Sequence, residues 1–157
     1  MTLEEKKEIL LKDLSSRLPY GVKAYVKNWS KLDRKWYEGV YTVESIHPHL
    51  NNILACSEKS SVEVIVGYDD YEIKPYLFPL SSMTEEQKEE LFYKYIHNDI
   101  YFDDFTDYFL AGELWHDIHV SMDVLPELIN WLNKNHLDYQ GLIPMGLAID
   151  ATGLNIY

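Results

Sequence analysis

The sequence predicts a single α+β domain: an N-terminal helix, a small antiparallel, SH3-like barrel sheet to about residue 80, then helices and an extended C-terminal tail. Three observations carry that expectation. Apolar residues alternate with polar ones in short runs between residues 22 and 73, the period of half-buried strands. Two capping boxes, Thr2-Leu-Glu-Glu5 and Thr84-Glu-Glu-Gln87, stand before stretches with helical spacing. The chain has 157 residues, 46% of them hydrophobic, which is enough for one core and short for two.

In the first capping box, the Thr2 hydroxyl and Glu5 carboxylate can satisfy the free N–H groups of a helix start. Leu3, Ile9, Leu10, Leu14 and Leu18 follow near a helical period, predicting a surface helix with one buried stripe. Pro19 and Gly21 end it. Val22, Ala24 and Val26 then alternate with Lys23, Tyr25 and Lys27 as a first strand, and a polar loop is expected over 28–35. Residues 36–46 read as a second strand, with Val40, Thr42 and Glu44 on one face and Tyr41, Val43 and Ser45 on the other. Residues 53–56, 62–66 and 71–73 read as further short strands joined by turns at Asn51-Asn52, 57–61 and 67–70. Short strands of this kind curl or close so that no flat edge invites aggregation.

Residues 72–84, with Pro75 and Pro79 among Tyr76, Leu77, Phe78 and Leu80, predict a strand end and a packed turn leading to the second helix. That helix runs over about 84–97, burying Leu91, Phe92, Tyr95 and Ile96. Asp123 is placed to cap another helix through Val124, Leu125, Leu128, Ile129 and Leu132, ending near His136. The apolar, Gly- and Pro-broken segment 141–150 is expected to pack as an extended segment on the core.

The net charge of −12 is unevenly spread. Residues 1–80 hold eleven Lys/Arg against twelve Asp/Glu, a net of −1, while residues 81–157 hold three against fourteen, a net of −11. The field of that back half repels phosphate backbones and attracts basic surfaces, which argues against direct nucleic-acid binding there. A lone cysteine, Cys56, allows no internal disulfide, and the charged start of the chain lacks the apolar run of a secretory signal, so a cytoplasmic location is expected. No apolar stretch approaches the ~20 residues of a membrane span.

Three segments together carry a family likeness: Leu18-Pro-Tyr-Gly-Val22, Ile73-Lys-Pro-Tyr-Leu-Phe-Pro-Leu-Ser-Ser-Met-Thr-Glu-Glu86, and Trp131-Leu-Asn-Lys-Asn-His-Leu-Asp-Tyr-Gln-Gly-Leu-Ile143 with Gly146-Leu-Ala-Ile-Asp150. In these the chain resembles an uncharacterised family of small proteins from Bacteroides-group gut bacteria, their phages and mobile elements. The likeness covers both ends and the middle of the chain, leaving about 98–120 as the variable part. It implies a phage or mobile-element context and transfers no catalytic or ligand residue.

Enzyme chemistry finds little footing. Metal-ligand residue types occur in His47-Pro-His49 and in His116-Asp-Ile-His119 with Asp117, and His136 stands apart. At i, i+3 on a helix, His116 and His119 would share a face, so His47, His49, His116, Asp117 and His119 are the candidate metal ligands of a metal-dependent hydrolase. A site needs three or four converging ligands, and HExxH is absent. Cys56 sits in an apolar run that suits a buried thiol better than an activated thiolate. Ser81 and Ser82 lack a GxSxG elbow and suit a turn. Neither GxGxxG nor GxxxxGK[ST] occurs, so no cofactor is expected.

The expected function is therefore non-enzymatic protein binding. Asp99, Asp103, Asp104, Asp107 and Glu113 put negative charge at intervals along a segment whose Tyr101 and Tyr108 offer rigid contact area. That pattern suits docking to a basic host protein, as an inhibitor or nucleic-acid mimic. The bland alternative is that the rings are core and the acids merely solvated. A third reading gives nucleic-acid binding to the front half, where Lys23, Lys27, Lys31, Arg34 and Lys35 accompany Trp29 and Trp36.

Overall fold

A computed structural model describes residues 2–30, 34–47, 49, 52–57, 61–65, 71–96 and 123–157. The chain divides into two compact units, Met1–Leu77 with Gln140–Tyr157, and Phe78–Tyr139.

In the first unit, helix α1 (Leu3–Arg17) opens on the expected capping box: Thr2 Oγ1 accepts from the Glu5 N–H, and the Glu5 carboxylate accepts from the Thr2 N–H. Its buried stripe is Leu10, Leu11, Asp13, Leu14 and Arg17. Leu3, expected in that stripe, is exposed. Pro19 lies in a 3₁₀ turn (Leu18–Tyr20), and Gly21 at φ 67° turns the chain into the sheet, a left-handed position that glycine takes without strain.

Six strands follow: β1 (Lys23–Ser30), β2 (Lys35–His47), β3 (Asn52–Cys56), β4 (Ser61–Ile65), β5 (Tyr71–Leu77) and β6 (Ile149–Asp150). Their order is β4-β3-β2-β1-β5-β6, antiparallel except for β5 with β6. The expected alternation holds, with Val22, Ala24 and Val26 buried, and Tyr41 and Val43 buried opposite the outward Val40. With Leu10, Leu11, Leu14, Ile53, Ala55, Val62, Val64, Ile73 and Leu77 they form one core.

The fold is α+β, but the SH3-like barrel does not close: the sheet is open, with β4 at one edge and β6 at the other. It curls enough that β4 approaches β1, where Asn28 Nδ2 donates to the Glu63 carbonyl at 3.0 Å. A register shift in β2 between Val43 and Ser45 contributes to that curl, as a bulge bends the strand that carries it.

Two boundaries differ from the sequence expectation. The predicted loop from residue 28 is shorter, because Trp29 pairs with Trp36 and Ser30 with Lys35, and the cross-strand indoles carry the hairpin outward. β5 runs on through Pro75 to Leu77 instead of ending at Ile73. Proline is tolerated there because β5 is an edge until β6 joins it at Tyr76. The 141–150 segment is turn-rich before it becomes a strand: Gly141 and Gly146 both adopt positive φ, and Leu142 and Ala148 enter the sheet's core.

In the second unit, Pro79 and a 3₁₀ turn (Leu80–Ser82) lead to α2 (Glu85–Tyr95). The Thr84–Gln87 capping box there is fully formed. Helix α3 (Leu125–Lys134) begins after Val124 with Pro126 in its first turn; Asp123 is not its N-cap. Leu91, Tyr95 and Ile96 meet Leu128, Trp131, Leu132 and Leu137 in a second core, with Met83 at its margin.

Candidate functional site

Helical phase fixed by Thr84 decides where the charges of α2 point. Glu85, Glu86, Glu89 and Glu90 are all exposed, as are Asp123 and Glu127 at the start of α3. Of the cations on these helices, Lys88 is buried and bonded to Glu85, and Lys94 lies 4.0 Å from Glu90. Lys94 holds its proton above the ordinary lysine range, first through a hydrogen bond with Tyr95 and also through neighbouring carboxylates. By sequence this unit carries thirteen acids against three bases, a net of −10, whereas the rest of the chain carries thirteen against eleven, a net of −2.

In sequence these glutamates add to the charge of the back half, and no motif there marks them as a site. Their signal was the pair-and-gap spacing after the capping box, which puts 85, 86, 89 and 90 on one helix side. The docking residues expected from the sequence, Asp99, Tyr101, Asp103, Asp104, Asp107, Tyr108 and Glu113, lie outside the described residues. So do His116, Asp117 and His119.

A different surface forms on the outer face of the sheet in the first unit. Lys23, Tyr25, Lys27 and Trp29 of β1 stand beside Trp36, Glu38 and Val40 of β2 and Glu72 and Lys74 of β5. Trp29 and Trp36 lie with ring centroids 5.4 Å apart, and Trp36 is 49% exposed. Lys27 Nζ sits 5.2 Å over the Trp36 ring, a cation–π contact. The Tyr25 hydroxyl donates to Glu38 at 2.8 Å, and Lys74 pairs with Glu72. Partial desolvation, that hydrogen bond and the nearby carboxylates raise the Tyr25 pKa to about 12. Lys31 lies outside the described residues, Arg34 is exposed at φ 52°, and Lys35 stacks over Tyr37. Charge on this face is mostly compensated at short range.

Among the described residues the front histidines gather no further ligand. His47 and His49 are both exposed, with ring centroids 6.3 Å apart, and among the described residues no group of three His, Cys, Asp or Glu is placed to hold a metal. Cys56 is half-buried instead of buried, and its thiol donates to Ser61 Oγ across β3 and β4 at 3.0 Å. Ser82 caps its own turn, donating to the Pro79 carbonyl, as a turn serine should.

The most enclosed polar group lies in the first unit. Asp13 and Arg17 are 0% exposed and paired at 2.9 Å, while Gln140 Nε2 donates to the other Asp13 oxygen at 3.0 Å. Nearby, the Tyr157 hydroxyl accepts from the Lys23 N–H and donates to the Tyr76 carbonyl, and Lys23 Nζ donates to the Ile156 carbonyl. Burial raises the Tyr157 pKa to about 12. This cluster ties the 140–157 segment to α1 and β1.

Among the described residues no helix is long and apolar enough to cross a membrane. Compared with known proteins, the chain matches no protein-family model, no curated protein and no solved structure.

Proposed function

We propose that this is a non-enzymatic, cytoplasmic interaction protein of phage or mobile-element origin whose acidic unit docks on a basic host protein, as an inhibitor or nucleic-acid mimic. The observation that supports the reading is the outward row of Glu85, Glu86, Glu89 and Glu90 on α2, with Glu127 on α3, against lysines largely tied to those same acids. Acids presented at helical intervals, followed in sequence by a segment richer still in Asp and aromatic residues, would steer a basic partner by charge.

The test is capture of partners from host lysate by wild type, by Asp103/Asp104/Asp107→Asn and by Glu86/Glu90→Gln, each washed at low and high salt. A basic partner retained by wild type, released by salt and competed by duplex DNA is the expected result. The same partners on all three proteins would sink the reading.

A second reading rests on the Trp29–Trp36 pair and Lys27: stacking of single-stranded nucleic acid on the outer sheet face. It requires salt-sensitive oligonucleotide binding weakened by Lys23→Glu and Lys27→Glu, and fails if wild type binds none even at low salt.

A further inference from the structure

Helix α3 ends in a turn whose chemistry is out of keeping with its geometry. The Leu137 N–H returns to the Leu132 carbonyl at 3.0 Å and the His136 N–H to that of Asn133 at 3.1 Å, the paired bonds of a Schellman motif. The left-handed position of that motif usually belongs to glycine. Here it is His136, at φ 53°, and its ring is buried in the wall of a cavity of about 370 Å³. That volume falls within the ordinary range of small-ligand sites, about 300–1,000 Å³.

The hydrogen bonds around the cavity show what it would accept. Gln87 Oε1 accepts from the Thr84 N–H, and Asn135 Oδ1 from Gln87 Nε2. The Ser82 hydroxyl proton goes to the Pro79 carbonyl. Thr84 Oγ1 accepts from the Gln87 N–H, which leaves its own proton to donate. Gln87 Nε2 and Asn135 Nδ2 each use one hydrogen within the protein, toward Asn135 and the Trp131 carbonyl, and each carries a second. Lys134 adds an exposed ammonium at the rim. Thr84, Gln87, Asn135 and Lys134 thus each bring a donor to the cavity, and no carboxylate lines it although the unit carries a net of −10. Phe78 and Leu137 supply an apolar wall.

We propose that this cavity binds a small organic monocarboxylate, its oxygens held by Thr84, Gln87, Asn135 and Lys134 and its apolar body against Phe78 and Leu137. One lysine matches one negative charge. A phosphate dianion would bring a second charge with no cation assigned to it, and would leave the apolar wall unused.

The test is amide chemical-shift titration of the full chain with benzoate, and with benzyl alcohol and inorganic phosphate as the body without the charge and the charge without the body. Benzoate is expected to give saturable shifts at Thr84, Gln87 and residues 134–137. Either control should bind about tenfold more weakly, as should benzoate on Lys134→Gln, the scale of one charge-assisted hydrogen bond. His136→Gly keeps the turn, because glycine suits the left-handed position, and removes the cavity wall, so it too should weaken benzoate. Shifts that do not saturate, that fall elsewhere, or that are equal for phosphate overturn the proposal, as does benzoate binding unchanged in both variants.

Discussion

The two units treat charge in opposite ways. In the unit built on the sheet, ionic groups are folded into the structure: Asp13 and Arg17 are sealed in the core, Lys74 meets Glu72, Lys27 lies on Trp36 and the Tyr25 hydroxyl on Glu38. In the helical unit the acids of α2 and the start of α3 face water over a core of apolar side chains such as Leu91, Leu128, Leu132 and Trp131, and the buried polar groups there, Lys88, Asn133, His136 and Asp138, include no enclosed ion pair like that of Asp13 and Arg17 among the described residues. Charge that is paired internally holds a fold, and charge left outward is available to a partner. The contrast therefore locates stability in one unit's polar cluster and recognition on the other unit's surface.

The largest expected effect tests the first half of that contrast. Arg17→Ala leaves the Asp13 carboxylate enclosed without its cation, which should destabilise the protein by about 3–5 kcal/mol in urea unfolding. Replacing both, as Asp13→Leu with Arg17→Met, removes the stranded charge and should recover most of that loss. If Arg17→Ala costs no more than a surface change, the pair is not what holds α1 and the 140–157 segment together. The matching change in the helical unit, Leu132→Ala, should cost about 2–5 kcal/mol through cavity formation alone, with no dependence on a second substitution.

A smaller effect compares the two capping boxes, which are chemically alike. Thr2→Ala and Thr84→Ala should each cost about 1 kcal/mol by thermal or urea unfolding. The Thr84 change carries a further consequence, since Gln87 is held by Thr84 on one side and bonds Asn135 on the other. A greater loss at Thr84 than at Thr2 would mean that the cap also anchors the end of α3.

How much of this was legible beforehand follows from how local each signal is. Thr2-x-x-Glu5 and Thr84-x-x-Gln87 act within one helical turn, and Val22, Ala24 and Val26 within one strand, so both were readable. The closure of the sheet was not, because whether β4 pairs with β5 or only approaches it depends on the bulge at 43–45 and on the sum of strand twists. Pro75 misled in the other direction, since a proline ends a strand only if its missing N–H was needed. In sequence Asp13 and Arg17, at i, i+4 on a helix, carry no local sign of burial. Their burial becomes visible only when Gln140, 127 positions away, closes over them. The candidate site divides the same way: the phase of Glu85, Glu86, Glu89 and Glu90 follows from the cap, while the cavity requires Gln87 and Asn135 to be brought together by tertiary structure.

The smallest effect concerns the tyrosines, and it separates a charge-paired surface from a merely solvated one. Tyr25 and Tyr157 both have pKa values raised to about 12, the first by partial desolvation and its bond to Glu38, the second by burial of its hydroxyl end. A tyrosine whose folded pKa lies above its unfolded value of ~10 favours the fold below pH 10. That contribution shrinks as pH rises from 10 toward 12, because only the unfolded chain releases the proton in that window. Absorbance titration should therefore show Tyr25 and Tyr157 ionising late, with Tyr76, raised by burial, also displaced upward, and stability falling as pH rises from 10. In Tyr25→Phe one late component should vanish, and in Glu38→Gln it should move back toward ordinary phenols without being lost. If Glu38→Gln leaves that component in place, the Tyr25–Glu38 bond does not hold in solution. The outer face of the sheet would then be as open in its charges as α2, and the contrast between the units would rest on Asp13 and Arg17 alone.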